Sequence, residues 1–119
     1  MRQHSVGVNG EETAVRFLTE RKGMRCLARR YRAQDGEIDL IMLDGETVVF
    51  VEVKARPGSR AGAGLSAVGR DKQRRVAHAA LNYLIEREWM ARPVRFDVVE
   101  ITSDGLLHVP NAFMPGAWV

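Results

Sequence analysis

The stretch Gly36–Lys54, GEIDLIMLDGETVVFVEVK, decides how the chain is read. Two apolar runs, Ile38–Leu43 and Val48–Val53, flank Asp44-Gly45, the strongest short-range signal for a β-hairpin. Asp39, Glu52 and Lys54 interrupt the apolar pattern, where a purely structural hairpin would carry apolar or neutral residues. With Asp44-Gly45 as the two-residue loop, Leu43 pairs with Glu46 and Asp39 lies opposite Phe50. Side chains alternate faces along a strand. Glu52 and Lys54 therefore share a face, and Asp39 joins them one diagonal step from Glu52, about 7–8 Å away. A slip of one residue would send Asp39 to the other face.

Two facing carboxylates repel unless a cation lies between them. Oxygen-only ligands with open positions suit Mg²⁺ or Mn²⁺, which keep waters and accept substrate phosphate. Lys54 beside them could orient an attacking water and stabilise charge on a phosphoryl group in its transition state. A cross-strand ion network in which Lys54 neutralises Asp39 or Glu52 explains the same spacing equally well. Glu37 is a secondary candidate. It shares the Asp39 face in a regular strand, but it also suits an exposed strand end.

Outward from the hairpin, Val8–Arg21 reads as a first helix that Gly23 ends, with Ala14, Val15, Phe17 and Leu18 on its apolar side. Glu11 precedes Ala14, Val15 and Leu18 by three, four and seven positions, so it lies on the buried stripe. A carboxylate there needs a cation, a metal or donors. A first-turn glutamate favoured by the helix dipole is the competing explanation. Glu12 lies off the stripe and pairs with Arg16 in water. Met24–Arg32 reads as a strand, with Cys26 as a small core residue, and Gln34-Asp35-Gly36 as a turn. Beyond the hairpin, the glycine-rich Pro57–Gly64 reads as a surface loop without the phosphate-cradling pattern of nucleotide triphosphatases. Asp71–Glu88 reads as the second helix, with a basic start and a stripe of Val76, Ala79, Ala80, Tyr83 and Leu84. His78 reads as a surface or packing residue, and Trp89 as a core anchor. Val94–Ile101 and Leu106–Val109 read as strands, and residues 111–119 as a tail in which Trp118 has no assigned place. The order α-β-β-β-α-β-β predicts an α/β fold with a mixed central sheet flanked by helices.

Length, composition and charge bound the function. A chain of 119 residues fits one domain, 1–119. Its 45% hydrophobic and 28% charged residues suit an ordinary globular core. One cysteine excludes an internal disulfide and fits a reducing compartment. With no membrane-length apolar run and no signal peptide, the expectation is a cytoplasmic protein. The net charge is +3, and the basic residues cluster: six in residues 21–32 with no acid, and seven in 54–75 against Asp71 alone. Such runs taken alone are more often solvated faces. Flanking an acidic centre, they also suit a phosphate-backbone binder. The candidate nucleic-acid contacts are Arg32, Arg56, Arg70, Lys72, Gln73, Arg74 and Arg75.

Asp39 followed by Glu52-Val53-Lys54 resembles the PD-(D/E)xK signature of the restriction-endonuclease-like nucleases, with Ile38 in place of the proline. More closely, the chain resembles the YraN-like bacterial family. Gly10-Glu11-Glu12, Tyr31-Arg32, Gly36-Glu37-Ile38-Asp39-Leu40-Ile41, Phe50-Val51-Glu52-Val53-Lys54, Lys72-Gln73-Arg74, Arg95–Val99 and Asn111-Ala112-Phe113 carry that resemblance. Arg30, Ala55 and Gly69 depart from it, standing where the family often has asparagine and threonines. The layout is similar to archaeal Holliday-junction resolvases, in which a helical glutamate, an aspartate and a Glu-x-Lys pair bind metal and cleave DNA. The resemblance implies a restriction-endonuclease-like core and a Mg²⁺- or Mn²⁺-dependent endonuclease acting on DNA, with branched or damaged DNA as a candidate substrate. Glu11, Asp39, Glu52 and Lys54 would be its catalytic residues, the three acids its metal ligands, and a homodimer its assembly. A non-catalytic nucleic-acid-binding module and a structural or protein-interaction subunit stay open, because a fold does not determine its function.

Overall fold

The computed structural model describes residues 2–56 and 69–116, the side chains of 2–9 and of Arg56 excepted. The elements run α1 (Arg2–Glu20), β1 (Arg25–Ala33), β2 (Gly36–Asp44), β3 (Thr47–Arg56), α2 (Arg70–Arg87), β4 (Val94–Thr102) and β5 (Gly105–Val109). This is the expected order. The strands form one sheet, β1-β2-β3-β4-β5. Every neighbouring pair is antiparallel except β3 with β4, which α2 connects in parallel. The fold is thus mixed α/β. The Pro57–Gly64 loop and Trp118 lie outside the described residues.

The two helices cover opposite faces. Even-numbered residues of β3, Val48 and Phe50, pack with Val76, Ala79, Ala80, Tyr83 and Leu84 of α2. Odd-numbered Val49 and Val51 pack with Ala14, Val15 and Leu18 of α1. A strand buried on both faces reads as a continuous apolar run, which explains Val48–Val51. α1 approaches β3 closely at Gly10, where an added Cβ would come within 3.0 Å of the Ala55 Cβ. The start of β2 is closer still to α2. A Cβ on Gly36 would come within 2.0 Å of the Arg75 carbonyl oxygen, so only glycine fits there. α2 starts at Gly69 without a side-chain cap. A threonine at that position could have supplied one.

Several expectations shift. α1 begins at Arg2 rather than Val8. The β2–β3 register pairs Asp44 with Thr47 and Leu40 with Val51, so the two-residue loop is Gly45-Glu46, not Asp44-Gly45. Gly45 takes φ +62, as a tight hairpin turn requires. Glu12 meets Arg29 at 2.7 Å instead of Arg16, which pairs with Glu20. β1 runs beside α1 and supplies a nearer cation. Trp89 packs against the α2-side core with Arg92 stacked 4.2 Å from its ring centroid.

Candidate active site

The hairpin's loop shift moves the register by two residues, so strand parity survives. Continuing the ladder one step past Leu40–Val51 sets Asp39 level with Glu52 rather than diagonal to it. The alternation of β2 breaks at this point. Ile38 packs in the α2-side cluster and Leu40 in the α1-side cluster, although they are two residues apart. The Val53 N–H donates to Asp39 Oδ2 at 2.8 Å. A side chain thus takes a donor that a regular ladder would give to a β2 carbonyl. The β2–β3 pairing ends at Leu40 and Val51, just before Asp39 and Glu52, and the two carboxylates are near enough for their charges to repel.

Glu52 is 5% exposed, and its Oε2 lies 2.7 Å from Lys72 Nζ at the start of α2. Burial, and next the Glu52 charge, push the Asp39 carboxyl up to about 7, against the opposing pull of the Val53 N–H and Lys72. Glu11 adds to the same upward push, so its charge reaches the pair. The Glu11 side chain is 16% exposed and accepts a 2.9 Å bond from Arg30 Nε. Arg30 itself takes the left-handed conformation, φ +50, which costs a non-glycine residue free energy. Because α1 begins at Arg2, Glu11 lies mid-helix, beyond the first turn where the dipole acts. Lys54, half-buried, follows Glu52 on the same face, and the buried Glu100 of β4 lies level with it.

Asp39 and Glu52 thus come together, with Glu11 near them and Lys54 on the Glu52 face. Glu37 does not join them. It is exposed and sits 3.8 Å from Arg32. The suggested role of Lys54 as neutraliser of the acids falls, for Glu52, to Lys72. Sequence reading placed Lys72 on a basic face. The basic start of α2 held a signal for it, but not the rotation that turns one of its cations inward. A second feature escaped the sequence reading as well. Asp97, fully buried, accepts two bonds from Arg95 (2.9 and 3.1 Å), one from the Asn111 N–H (2.9 Å), and lies 2.8 Å from His108 Nε2. Arg95 also reaches Asp44 at 3.2 Å. Arg95 and Asp97, opposite charges two apart in an apolar strand, were the available clue.

Two hollows are lined by the start of α2. An open cleft of about 600 Å³ is lined by Arg32, Glu37, Lys72 and Arg75 together with the β1–β2 turn. A second, of about 420 Å³, is lined by Arg70, Gln73, Arg74 and His78. Of the candidate nucleic-acid contacts, all but Arg56, whose side chain is not described, line one of them. Among the described residues no group of three or more His, Cys, Asp or Glu side chains is set to hold a metal. A hard divalent ion needs only one or two protein carboxylates when substrate phosphate and water fill the rest. An oxygen-only pair whose charges repel each other fits such an ion. No described helix is long and apolar enough to cross a membrane.

A UPF0102 protein of Symbiobacterium thermophilum is 48% identical over 113 residues, covering 91% of this chain and 95% of its own. One of Geobacter metallireducens is 42% identical over 113 residues and 92% of each chain, and one of Bordetella avium is 40% identical over 117 residues, 98% of this chain and 80% of its own. Residues 10–101, which hold every acid of the candidate site, match the description "Uncharacterised protein family UPF0102". The YraN-like resemblance therefore holds at the level of the family, and the chain belongs to UPF0102.

Proposed function

We propose that this protein is a Mg²⁺- or Mn²⁺-dependent endonuclease with a restriction-endonuclease-like core, hydrolysing phosphodiester bonds in DNA, with branched or damaged DNA as the substrate class, in the cytoplasm. The observation that carries the reading is the Asp39–Glu52 pair where the β2–β3 pairing ends. There two carboxylates are held together against burial and mutual repulsion, with the one lysine ammonium placed on Glu52. Asp39 and Glu52 hold the ion, and Glu11 stands by as a third carboxylate under the control of Arg30. The ion, when bound, supplies Lewis-acid polarisation of the scissile phosphate and a water of lowered pKa. Lys54 aims its ammonium at the non-bridging oxygens, where charge grows in the transition state. Arg32 and Arg75 in the larger cleft, and Arg70, Gln73 and Arg74 in the smaller, take the phosphates on either side. A homodimer would set two such sites on one duplex.

Cleavage of duplex, flap and junction DNA with Mg²⁺ or Mn²⁺ tests the reading, with Asp39→Ala and Glu52→Ala as controls. Loss of cleavage in both is expected, and cleavage that survives both sinks it. A second reading, a nucleic-acid-binding module without catalysis, is favoured by the ion pairs that already engage Glu52 and Glu11. It predicts salt-sensitive DNA binding in a wild-type protein that takes up no divalent ion.

A further inference from the structure

We propose that Lys72 is the built-in counter-cation of the Asp39–Glu52 pair, exchanged for the divalent ion when that ion arrives and released into the adjoining cleft to meet a substrate phosphate. The inference rests on the nuclease reading and adds a regulatory step to it. Three observations support it. The Lys72 ammonium is 2.7 Å from Glu52, on a side chain 36% exposed against 6% for Glu52. One end of this contact is therefore anchored and the other can leave. Lys72 also lines the open cleft with Arg32 and Arg75, so its solvent side already borders the place where a phosphate backbone would lie. And α2 is fixed close behind it, where Gly36 meets the Arg75 backbone, so only the flexible lysine stem need move.

A single positive charge is a poor match for two converging carboxylates, and a divalent ion a better one. Lysine has three rotatable donors and four stem carbons, which suit it to change partners without moving the helix. Metal uptake and phosphate capture are coupled through it. Entry of the ion frees a cation for the substrate, and a bound phosphate draws that cation away from Glu52 and opens the ion's place. By linkage each event strengthens the other.

Calorimetric titration with Mn²⁺ alone, without nucleic acid, tests the exchange in wild type, Lys72→Gln, Lys72→Met and Arg75→Gln. If the lysine holds Glu52 about nine-tenths of the time, its removal tightens Mn²⁺ binding about tenfold. Arg75→Gln takes one charge from the same cleft without touching Glu52 and is expected to change affinity less than about twofold. Lys72→Met keeps the stem's packing if Lys72→Gln does not fold. In the wild type, side-chain NMR of the Lys72 Cε and Nζ should shift on adding Mg²⁺, and the shift should vanish in Asp39→Asn. Wild-type binding that Lys72→Gln and Lys72→Met leave equal or weaker overturns the exchange and spares the nuclease reading. An equal gain from Arg75→Gln also overturns it. Absence of Mn²⁺ binding in the wild type and every variant overturns both.

Discussion

Asp39→Asn turns the electrostatics of the site into a stability measurement. Asparagine keeps the shape and still accepts the Val53 N–H, but it carries no charge at any pH. In the folded protein burial and Glu52 push the Asp39 carboxyl from 3.8 to about 7. Between those values the native state keeps a proton that the unfolded chain has released, so Asp39 lowers stability as pH rises from about 4 to about 7. The full cost is present above pH 7 and absent below 4. About three pKa units at about 1.36 kcal/mol each set a ceiling near 4 kcal/mol, and relaxation and water entry reduce this to about 2–3 kcal/mol. Urea unfolding in EDTA should thus show Asp39→Asn more stable than wild type by that amount at pH 8, and nearly equal to it at pH 4.5. Adding Mg²⁺ at pH 8 should stabilise the wild type by preferential binding to the folded state and leave the variant unmoved. Parallel pH curves for the two proteins, or a variant less stable at pH 8, would refute the argument, because Asp39 would then be charged in the fold at little cost.

Three further outcomes are expected. Gly36→Ala sets a Cβ against the Arg75 carbonyl at 2.0 Å and must displace α2 or β2; a loss of about 2 kcal/mol or more should appear in urea unfolding. Asp97→Ala leaves Arg95 and His108 without their shared acid, and a loss of about 3–5 kcal/mol is expected. Burial alone would raise the Asp97 carboxyl, but bonds from His108, Arg95 and the Asn111 N–H hold it below its ordinary value. Its contribution is therefore present above about pH 4 and lost as pH falls through the lowered value, so the acid-unfolding limb should flatten in the variant. Arg30→Asn replaces the residue at φ +50 with one that tolerates it. Removal of left-handed strain and loss of the Glu11 pair should nearly cancel in stability, to within about 0.5 kcal/mol, while Glu11, released, should tighten Mn²⁺ binding in calorimetry.

The hairpin and the faces of its charges were legible in the sequence because strand alternation is a local rule. Misplacing the loop by one residue moved both ends of the register together and left parity intact, so Asp39 and Glu52 still met. What did not carry over was anything set by a partner distant in sequence. Glu12 had a cation four residues away, yet it meets Arg29 because β1 passes beside α1. Lys72 looked like one charge in a basic run. Its turn toward Glu52 depends on how α2 docks, through its apolar stripe on the sheet and the Arg75 backbone close against Gly36. Asp97 draws on β5 and the segment after it, and its partner Arg95 on Asp44 of β2, and no window of sequence holds all three. Arg30 looked like a departure of side-chain type, whereas its backbone angle is what sets the position apart.

The strand order bears on how the chain folds. β1, β2 and β3 are joined by turns of two residues, Gln34-Asp35 and Gly45-Glu46, and form a meander of local pairings. The step from β3 to β4 is the long one, since the whole of α2 must be laid down first. Local pairings form early and distant ones late. On that tendency the meander is expected to bring Asp39 and Glu52 together before Lys72 reaches them. Until α2 docks, the partly built sheet carries two converging negative charges, and its assembly is a race between strand pairing and charge repulsion. Mild acid or a divalent ion should speed that step, whereas stabilising α2 alone should not.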